Sequence, residues 1–257
     1  MKDKLIIFTA GFAMEIAKNT AKKWNDTHDL KAEVIAGGSV DLANKIVQGE
    51  TCDIFISADD ILIKNMLMPQ FCSGYHVFAG NRMAISAMPG RSINSGNWKE
   101  KLLAPDAKFF HRNPYGDPGG YRAVMSMMLA DHIEPGLSEK LINHPGHLGM
   151  KPDHSEKGIP ECDYIFTYYT AAVSGSTPYA VLPVEIDLSD ESLKNLYATI
   201  SFTIDKNFTV AGAPISHAFS IPILSCHPME ARSFAKLFLD TDFKSLHFTE
   251  RKQSFCI

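Results

Sequence analysis

The chain has 257 residues, of which 45% are hydrophobic and 21% are charged, and its net charge is −4. This composition predicts a globular protein of one large domain or two modest lobes. The mildly acidic balance excludes a general attraction to nucleic acid or to anionic lipid, so we expect no nucleic-acid partner. No apolar run reaches the roughly 18 residues that a membrane-spanning helix needs.

The N-terminus shows no pattern of a secretion signal, because "MKDK" leads at once into the strand-like "LIIFTA". We therefore expect either a cytoplasmic protein or a chain that begins after a removed leader.

The cysteines are odd in number and widely spaced, and they form no CxxC pair. This pattern predicts buried free thiols rather than a disulfide framework. A metal site at His144, His147 and His154 is disfavoured, because their segment is rich in glycine and proline and reads as a solvated loop. The five cysteines are Cys52, Cys72, Cys162, Cys226 and Cys256.

The first third of the chain alternates strand patterns with helix patterns. The segments "LIIFTA", "KAEVIA" and "CDIFISA" predict buried strands, and helices are predicted in "GFAMEIAKNTAKKW", "VDLANKIVQG" and "ILIKNML". The alternation predicts a parallel sheet of the α/β class. In such sheets ligands bind beyond the carboxyl ends of the strands, where helix N-termini favour anions.

Two of these strand–helix corners are candidate anion sites. They lie at Gly11-Phe12 and at Gly38-Ser39. Ser39 stands where a helix N-cap is expected, and a capping hydroxyl can also donate its own proton to a ligand. Asp59 or Asp60 is expected to cap the third helix.

The middle of the chain predicts a second lobe. The extended pattern "HVFAGNRMAISAM" is long enough to cross between lobes, and "YAVLPVEIDLS" has the pattern of a return crossing. We therefore predict lobe one over residues 1–79 and 185–257, and lobe two over residues 80–184. Beyond residue 190 the chain predicts further strands and a last helix in "HPMEARSFAKLFLD".

A third candidate corner lies in "RNPYGDPGGYR", directly before the apolar period "AVMSMMLADHI". Asp117 stands at the N-cap and Pro118 at the first helical position, which are favoured places for both residue types. Gly119 and Gly120 allow the first turn to pack tightly or allow a close approach to the backbone. Capping alone explains Asp117 but not the stiffness of the loop around it.

The same segment, "NPYGDPGGYR", resembles the N-P-x-x-D-P-x-G-Y-R signature of the periplasmic molybdate/tungstate-binding proteins of ABC transporters, in particular their archaeal tungstate-binding branch. The segments "NRMAIS", "NWKEKLLAPDAKF", "ECDYIFTYYTAA" and "VLPVEIDLSD" resemble further parts of that family in the same order. The resemblance implies a type II solute-binding fold of two α/β lobes, each a mixed sheet flanked by helices. Two crossing strands join these lobes, which close over a tetrahedral oxyanion.

The resemblance also implies a ligand set. In the tungstate-binding branch two carboxylate oxygens complete a six-coordinate metal, and the matching positions here are Asp117 and Glu161. The hydroxyl donors of the family correspond to Ser39 and Tyr168. A carboxylate suits an oxyanion only when it bonds the metal centre itself, which is a hard acceptor for oxygen.

The first corner departs from the family, because Phe12 stands where the family has a serine. Gly11 and the backbone N–H groups of Phe12 and Ala13 remain as candidate ligand contacts. Loss of a donor to a charged ligand costs about 1.5–3 kcal/mol. We therefore expect a smaller or more apolar pocket, and a small sulfonate or carboxylate is an alternative ligand.

Three functional interpretations remain. The first is the substrate-binding component of an ABC importer, which captures tungstate or molybdate and delivers it to a membrane permease. We expect such a component to be a periplasmic or cell-surface monomer and to need no cofactor. The second is the same fold with another small anion. The third is a cytoplasmic ligand-sensing domain or an enzyme on a related fold. We expect no enzyme, because no phosphate loop and no GxSxG motif is present, and no helix-turn-helix indicates a DNA-reading sensor.

Overall fold

The computed structural model of the chain describes residues 4–149, 158–206, 208–251 and 253–255. The chain divides into two compact units, the first comprising Met1–Gly80 and Ser216–Ile257 and the second Asn81–Ile215. Within the described ranges, no helix has the length and apolar character needed to cross a membrane.

The secondary structure alternates strongly in the first unit, as the sequence pattern predicts. The described residues form the strands β1 (Lys4–Ala10), β2 (Lys31–Gly37), β3 (Ile54–Ser57), β4 (Tyr75–Gly80), β5 (Met83–Ala87), β6 (Phe109–Phe110), β7 (Tyr164–Tyr168), β8 (Tyr179–Val181), β9 (Ser201–Asp205), β10 (Phe208–Ala211), β11 (Ser216–Ser220) and β12 (Gln253–Phe255). They also form the helices α1 (Met14–Thr27), α2 (Ser39–Val47), α3 (Asp60–Leu62), α4 (Trp98–Leu102), α5 (Pro118–Met128), α6 (Leu137–Ile142), α7 (Tyr169–Ser174), α8 (Val184–Asp187), α9 (Lys194–Tyr197) and α10 (Pro228–Leu239).

The first unit is built on a six-stranded sheet in the order β12-β4-β11-β3-β1-β2. Strands β1, β2 and β3 are parallel, whereas β11 is antiparallel to both β3 and β4. Because side chains alternate along a strand, Leu5 and Ile7 pack with Trp24 in one apolar cluster. Ile6 and Phe8 pack on the other face in a second cluster. Each fully buried side chain of this kind contributes about 1.5–3 kcal/mol.

The second unit contains a four-stranded sheet in the order β6-β7-β5-β8 and a separate β9–β10 hairpin. Strand β6 runs parallel to β7, and β5 runs antiparallel to β7 and β8. Helix α5 packs against β7, with Tyr121 and Met125 fully buried. The long extended pattern around residue 80 thus forms two strands, β4 in the first sheet and β5 in the second.

The chain returns to the first unit after Ile215, whereas the sequence pattern predicts a return near residue 185. Residues 185–215 stay with the second unit because they pack on α5. The guanidinium of Arg122 donates from Nη1 to the Ala213 carbonyl at 2.9 Å. The ring of Phe202 stacks on Tyr121 with centroids 6.4 Å apart. The segment predicted to cross forms β8 and α8 instead.

The described cysteines are free thiols, as predicted, but they are not all buried. Cys52 and Cys72 are buried, Cys162 is partly buried and Cys226 is exposed. Cys256 lies outside the described residues.

Asp187, at the end of α8, has a buried carboxyl group. Its raised pKa makes the stability of the second unit depend on pH. Its side chain is 1% exposed, and burial raises its pKa from 3.8 to about 6, against the opposing effects of a hydrogen bond from Ser189 and the charge of Arg82. The folded state therefore binds the proton more tightly than the unfolded state. This contribution to stability is complete below pH 3.8 and is lost as the pH rises through about 6.

We expect Asp187→Asn to raise the free energy of unfolding at pH 7.5 by about 1–3 kcal/mol and to change it little at pH 4, since one pKa unit corresponds to about 1.4 kcal/mol. The asparagine keeps the oxygen that accepts the Ser189 N–H. Urea unfolding of both proteins at the two pH values measures the difference. An equal effect at both pH values would contradict this account of the carboxyl.

Candidate functional site

Three parallel strands of the first unit end side by side. Ala10, the last residue of β1, pairs with Gly37, the last residue of β2, and Thr9 pairs with Ile56 near the end of β3. A helical segment begins just after each strand: a 3₁₀ turn at Gly11–Ala13 that leads into α1, then α2, then α3. The backbone N–H groups of helix first turns therefore gather at one sheet edge, which favours an anion there.

Ser39 lies at this edge, but it does not cap its helix as predicted. Gly38 occupies the N-cap position with an extended backbone, and Ser39 is the first helical residue. The Ser39 hydroxyl is fully buried and accepts a hydrogen bond from the Ala58 N–H at 3.0 Å. A serine hydroxyl has one proton to donate besides its lone pairs, and the bond from Ala58 leaves that proton for another acceptor.

The Gly11-Phe12 corner presents backbone rather than a polar side chain. Gly11 is exposed, and a Cβ added there would meet no described atom within 4 Å. The ring of Phe12 is partly buried and stacks on His217 with centroids 3.8 Å apart and planes 19° apart. Phe248 contacts the same ring edge-on at 5.9 Å. The Phe12 ring therefore packs against the aromatic core of the first unit.

Asp117 occupies the N-cap of α5, and Pro118 is at the first helical position, in the places that the sequence predicts. The Asp117 Oδ1 accepts a hydrogen bond from the Gly119 N–H at 2.7 Å. A Cβ on Gly120 would collide with the Arg112 carbonyl oxygen and lie 2.7 Å from backbone atoms of the next two residues. The glycine therefore lets the first turn of α5 rest directly on the preceding loop, which explains the stiffness of that loop.

Tyr168 shares this corner of the second unit. It ends β7, its side chain is buried, and its Cε2 lies 3.6 Å from the place of a Cβ on Gly119, where the Asp117 Oδ1 also lies close. The structure thus brings Tyr168 and Asp117 together at the N-terminus of α5, as the resemblance implies.

Glu161 is the sequence-predicted ligand that the structure does not bring to this corner. It is exposed and precedes β7, whereas Tyr168 is at the other end of that strand. The five residues of β7 span about 13 Å at about 3.3 Å per residue. Asp163, two residues after Glu161, accepts a hydrogen bond from the Lys108 N–H just before β6. Glu161 therefore lies near the amino ends of the parallel strands β6 and β7. Glu161 therefore lies at the opposite end of β7 from Tyr168 and Asp117.

The histidine-rich segment gives no metal site within the described residues, where no group of three or more metal-ligating side chains is found. His147 stacks on Phe109 with centroids 5.2 Å apart, and burial lowers its pKa. His144 packs against the same ring, and His154 lies outside the described residues.

Sequence reasoning missed two residues of the first-unit corner. Ala58 contributes only backbone, so its residue type gives no signal, although its place directly after β3 could have indicated it. No local signal in the sequence indicates His217, because it lies 159 residues from Ala58. Its Nδ1 donates to the Ala58 carbonyl oxygen at 2.9 Å.

Comparisons with known proteins agree with a binding protein. A family model described as "Bacterial extracellular solute-binding protein" matches residues 5–242. An uncharacterized solute-binding protein of Petrotoga mobilis is 30% identical over 237 residues, covering 85% of this chain and 74% of that protein. The molybdate/tungstate-binding protein WtpA of Pyrococcus abyssi is 30% identical over an alignment of 295 positions, covering 98% of this chain and 84% of that protein.

Among solved structures, the periplasmic molybdate-binding protein of Azotobacter vinelandii matches with a TM-score of 0.68 at 17% identity, covering 96% of this chain and 100% of that chain. This likeness shows the fold. The expected mixed α/β architecture of type II periplasmic binding proteins is confirmed.

Proposed function

Since this chain belongs to the bacterial extracellular solute-binding protein family, we propose that it captures molybdate or tungstate as the binding component of an ABC importer. The relative from Pyrococcus abyssi that carries this binding activity in its name spans almost the whole chain. A solute-binding role also agrees with the expectation, from the sequence motifs, that the chain is not an enzyme.

The observation that carries the proposal is the Ser39 corner. Three helix N-termini lie at one sheet edge, and Ser39 is held with its acceptor side toward the Ala58 N–H. This arrangement offers hydrogen-bond donors and a partial positive charge after β1 and β2, whereas the third helix, α3, is capped by the Asp59 carboxylate. A fully deprotonated tetrahedral oxyanion has only acceptor oxygens, so it matches such a set of donors.

In the second unit we propose Tyr168 and Asp117 as ligand contacts. The Asp117 Oδ1 accepts the cap bond from the Gly119 N–H, and a carboxylate has about four lone-pair sites on its two oxygens. A carboxylate oxygen can bond the hexavalent metal of tungstate or molybdate, which sulfate and phosphate cannot imitate because their central atoms accept no further ligand. Glu161 has no part in this proposal, since it lies at the other end of β7.

The alternative of a ligand with an apolar part loses its main support. It depends on Phe12 lining the pocket with its ring, but that ring packs flat on His217. The third interpretation, a cytoplasmic sensor, is not favoured either, since the family is extracellular. We propose a periplasmic or cell-surface location, a monomeric chain and a membrane permease as its partner.

A thermal-shift screen of the purified chain tests the proposal. Molybdate, tungstate, sulfate, phosphate, a small sulfonate and a small carboxylate are compared at equal concentrations. A ligand at 100 times its dissociation constant stabilises the folded state by about 2.7 kcal/mol. We expect this stabilisation from molybdate and tungstate, and a response to the sulfonate or carboxylate alone would refute the proposal.

Ser39→Ala is expected to weaken binding of both metal oxyanions by about tenfold or more, since a hydrogen bond to a charged ligand is worth about 1.5–3 kcal/mol. It also leaves the buried Ala58 N–H without its acceptor, so the melting temperature falls as well. Ser220→Ala is the matched control, because Ser220 is equally buried in the first unit and bonds the Gly74 carbonyl. Calorimetric titration should show a weakened affinity only for the Ser39 variant; equal affinities in both would contradict the role of Ser39.

A further inference from the structure

The Ser39 hydroxyl is the end of a buried chain of hydrogen bonds that begins at His217. The His217 Nδ1 bonds the Ala58 carbonyl oxygen at 2.9 Å, and the Ala58 N–H bonds the Ser39 Oγ at 3.0 Å. His217 and Ser39 are both 0% exposed, and Ala58 is 3% exposed. The chain thus connects the antiparallel strand β11 to the N-terminus of α2 through one residue.

The direction of these bonds is fixed by chemistry. A carbonyl oxygen can only accept, so the His217 Nδ1 carries the proton. The Ser57 Oγ donates to the Asp59 carbonyl oxygen at 2.7 Å and accepts from the Asp59 N–H at 3.2 Å. The peptide between Ala58 and Asp59 is therefore held at its oxygen by His217 and at its nitrogen by Ser57. The Ala58 N–H belongs to the preceding Ser57–Ala58 peptide. Holding the Ala58 carbonyl restricts the backbone rotation of Ala58 that links the two peptides, so the Ala58 N–H keeps its direction toward the Ser39 Oγ.

The Phe12 ring holds the histidine in this orientation. The two rings are nearly parallel, with centroids 3.8 Å apart, and Phe248 contacts the His217 ring edge-on at 5.7 Å. A serine in place of Phe12 could not supply this flat contact. Phe12, which departs from the family pattern, thus contacts His217, which orders the Ser39 corner.

We propose that His217 is a positioning residue of the oxyanion corner, which it serves by fixing the Ala58 peptide so that the Ser39 hydroxyl directs its proton to the ligand. Phe12 supports it by stacking. This inference rests on the proposed function. It adds a determinant of affinity that contacts no ligand atom and lies in β11, whereas Ser39 is the first residue of α2.

Two substitutions separate the donor of His217 from its ring. His217→Phe keeps an aromatic ring against Phe12 but removes the Nδ1–H. His217→Asn loses the ring but places an amide N–H near the position of the Nδ1–H. We expect His217→Phe to weaken binding of molybdate and tungstate about three- to tenfold, and His217→Asn to recover most of that loss although it is the less stable protein. A purely structural role predicts the opposite order, with affinity following melting temperature.

A double-mutant cycle with Ser39→Ala completes the test by calorimetric titration with molybdate and with tungstate. If His217 acts through Ser39, the variant carrying both His217→Phe and Ser39→Ala binds as Ser39→Ala alone does, because the hydroxyl that His217 positions is already absent. Independent, multiplying effects overturn the inference, and so does an unchanged affinity in His217→Phe. Should His217→Phe fail to fold, a weakened affinity in His217→Asn equal to that of Ser39→Ala likewise overturns it, and a near-parental affinity supports it.

The inference and the proposed function fail in different ways. If the parent chain binds neither molybdate nor tungstate, the proposed function fails. If the parent binds them and Ser39→Ala weakens binding while His217→Phe does not, only the role of His217 fails.

Discussion

Replacing Gly120 with alanine is expected to lower the free energy of unfolding of the second unit by more than about 3 kcal/mol, or to prevent its folding. The added Cβ would collide with the Arg112 carbonyl oxygen and crowd the backbone of the next two residues. Backbone cannot rotate away as a side chain does, so α5 must shift or the loop must open. Urea unfolding followed by circular dichroism measures the loss.

Gly119→Ala is the matched control for this prediction, since it lies one residue earlier in the same turn. Its Cβ would meet the Asp117 Oδ1 at 3.1 Å and the Tyr168 ring at 3.6 Å, which are side-chain atoms that can move. Alanine also favours helix over glycine by about 1 kcal/mol, so we expect a net change within about 1 kcal/mol. Equal stabilities of the two variants would show that α5 does not rest on the loop as described.

Asp117→Asn is expected to weaken tungstate and molybdate binding by more than about a hundredfold while leaving the fold nearly unchanged. The asparagine oxygen can still accept from the Gly119 N–H, so the cap remains. The amide oxygen is, however, a much poorer donor to a hexavalent metal. Loss of a group that only supports a metal ligand already costs about 10–100-fold, and loss of the ligand itself should cost more.

The effect of Asp117→Asn on the binding of other anions distinguishes a metal ligand from a carboxylate that only repels anions. Sulfate cannot be bonded by Asp117, and the carboxylate only repels it, so Asp117→Asn should bind sulfate as well as the parent or better. Glu161→Gln serves as the control, because Glu161 is exposed at the amino end of β7 and should leave every affinity unchanged. If Asp117→Asn binds tungstate as tightly as the parent does, Asp117 is a helix cap and no more.

Local residue chemistry made several features predictable from the sequence. The start of α5 follows from an aspartate, a proline and two glycines in fixed order, and the structure has the cap and the first helical residue where these types belong. Asp59 caps α3 by accepting from the Ile61 N–H, in line with the expectation of a cap at Asp59 or Asp60. The continuous apolar runs of β1 and β3 likewise give the buried parallel strands.

Features that depend on distant contacts were not predictable in this way. The cap of α2 falls on Gly38 rather than Ser39, because the Ser39 hydroxyl is engaged by the Ala58 N–H of another strand end. The return to the first unit is delayed to Ile215 because Arg122 holds the Ala213 carbonyl across 91 residues. No local sequence pattern predicts either of these two contacts.

The position of Glu161 shows a different limit. A motif match places a residue in the sequence, but its function depends on which end of a strand it occupies. Glu161 and Tyr168 are seven residues apart in the same matched segment, and β7 carries them to opposite ends. A short motif around a strand can therefore match a family well while its residues lie at opposite edges of the sheet.

Equilibrium dialysis of the purified chain against tungstate, in the presence of a large excess of sulfate and phosphate, tests the central claim most directly. The tungsten retained per chain is measured by elemental mass spectrometry, with Asp117→Asn dialysed in parallel. We predict close to one tungsten atom per parent chain and far less in the variant. Retention no higher than in the surrounding buffer, or complete displacement by sulfate, would contradict the claim that this chain captures a metal oxyanion.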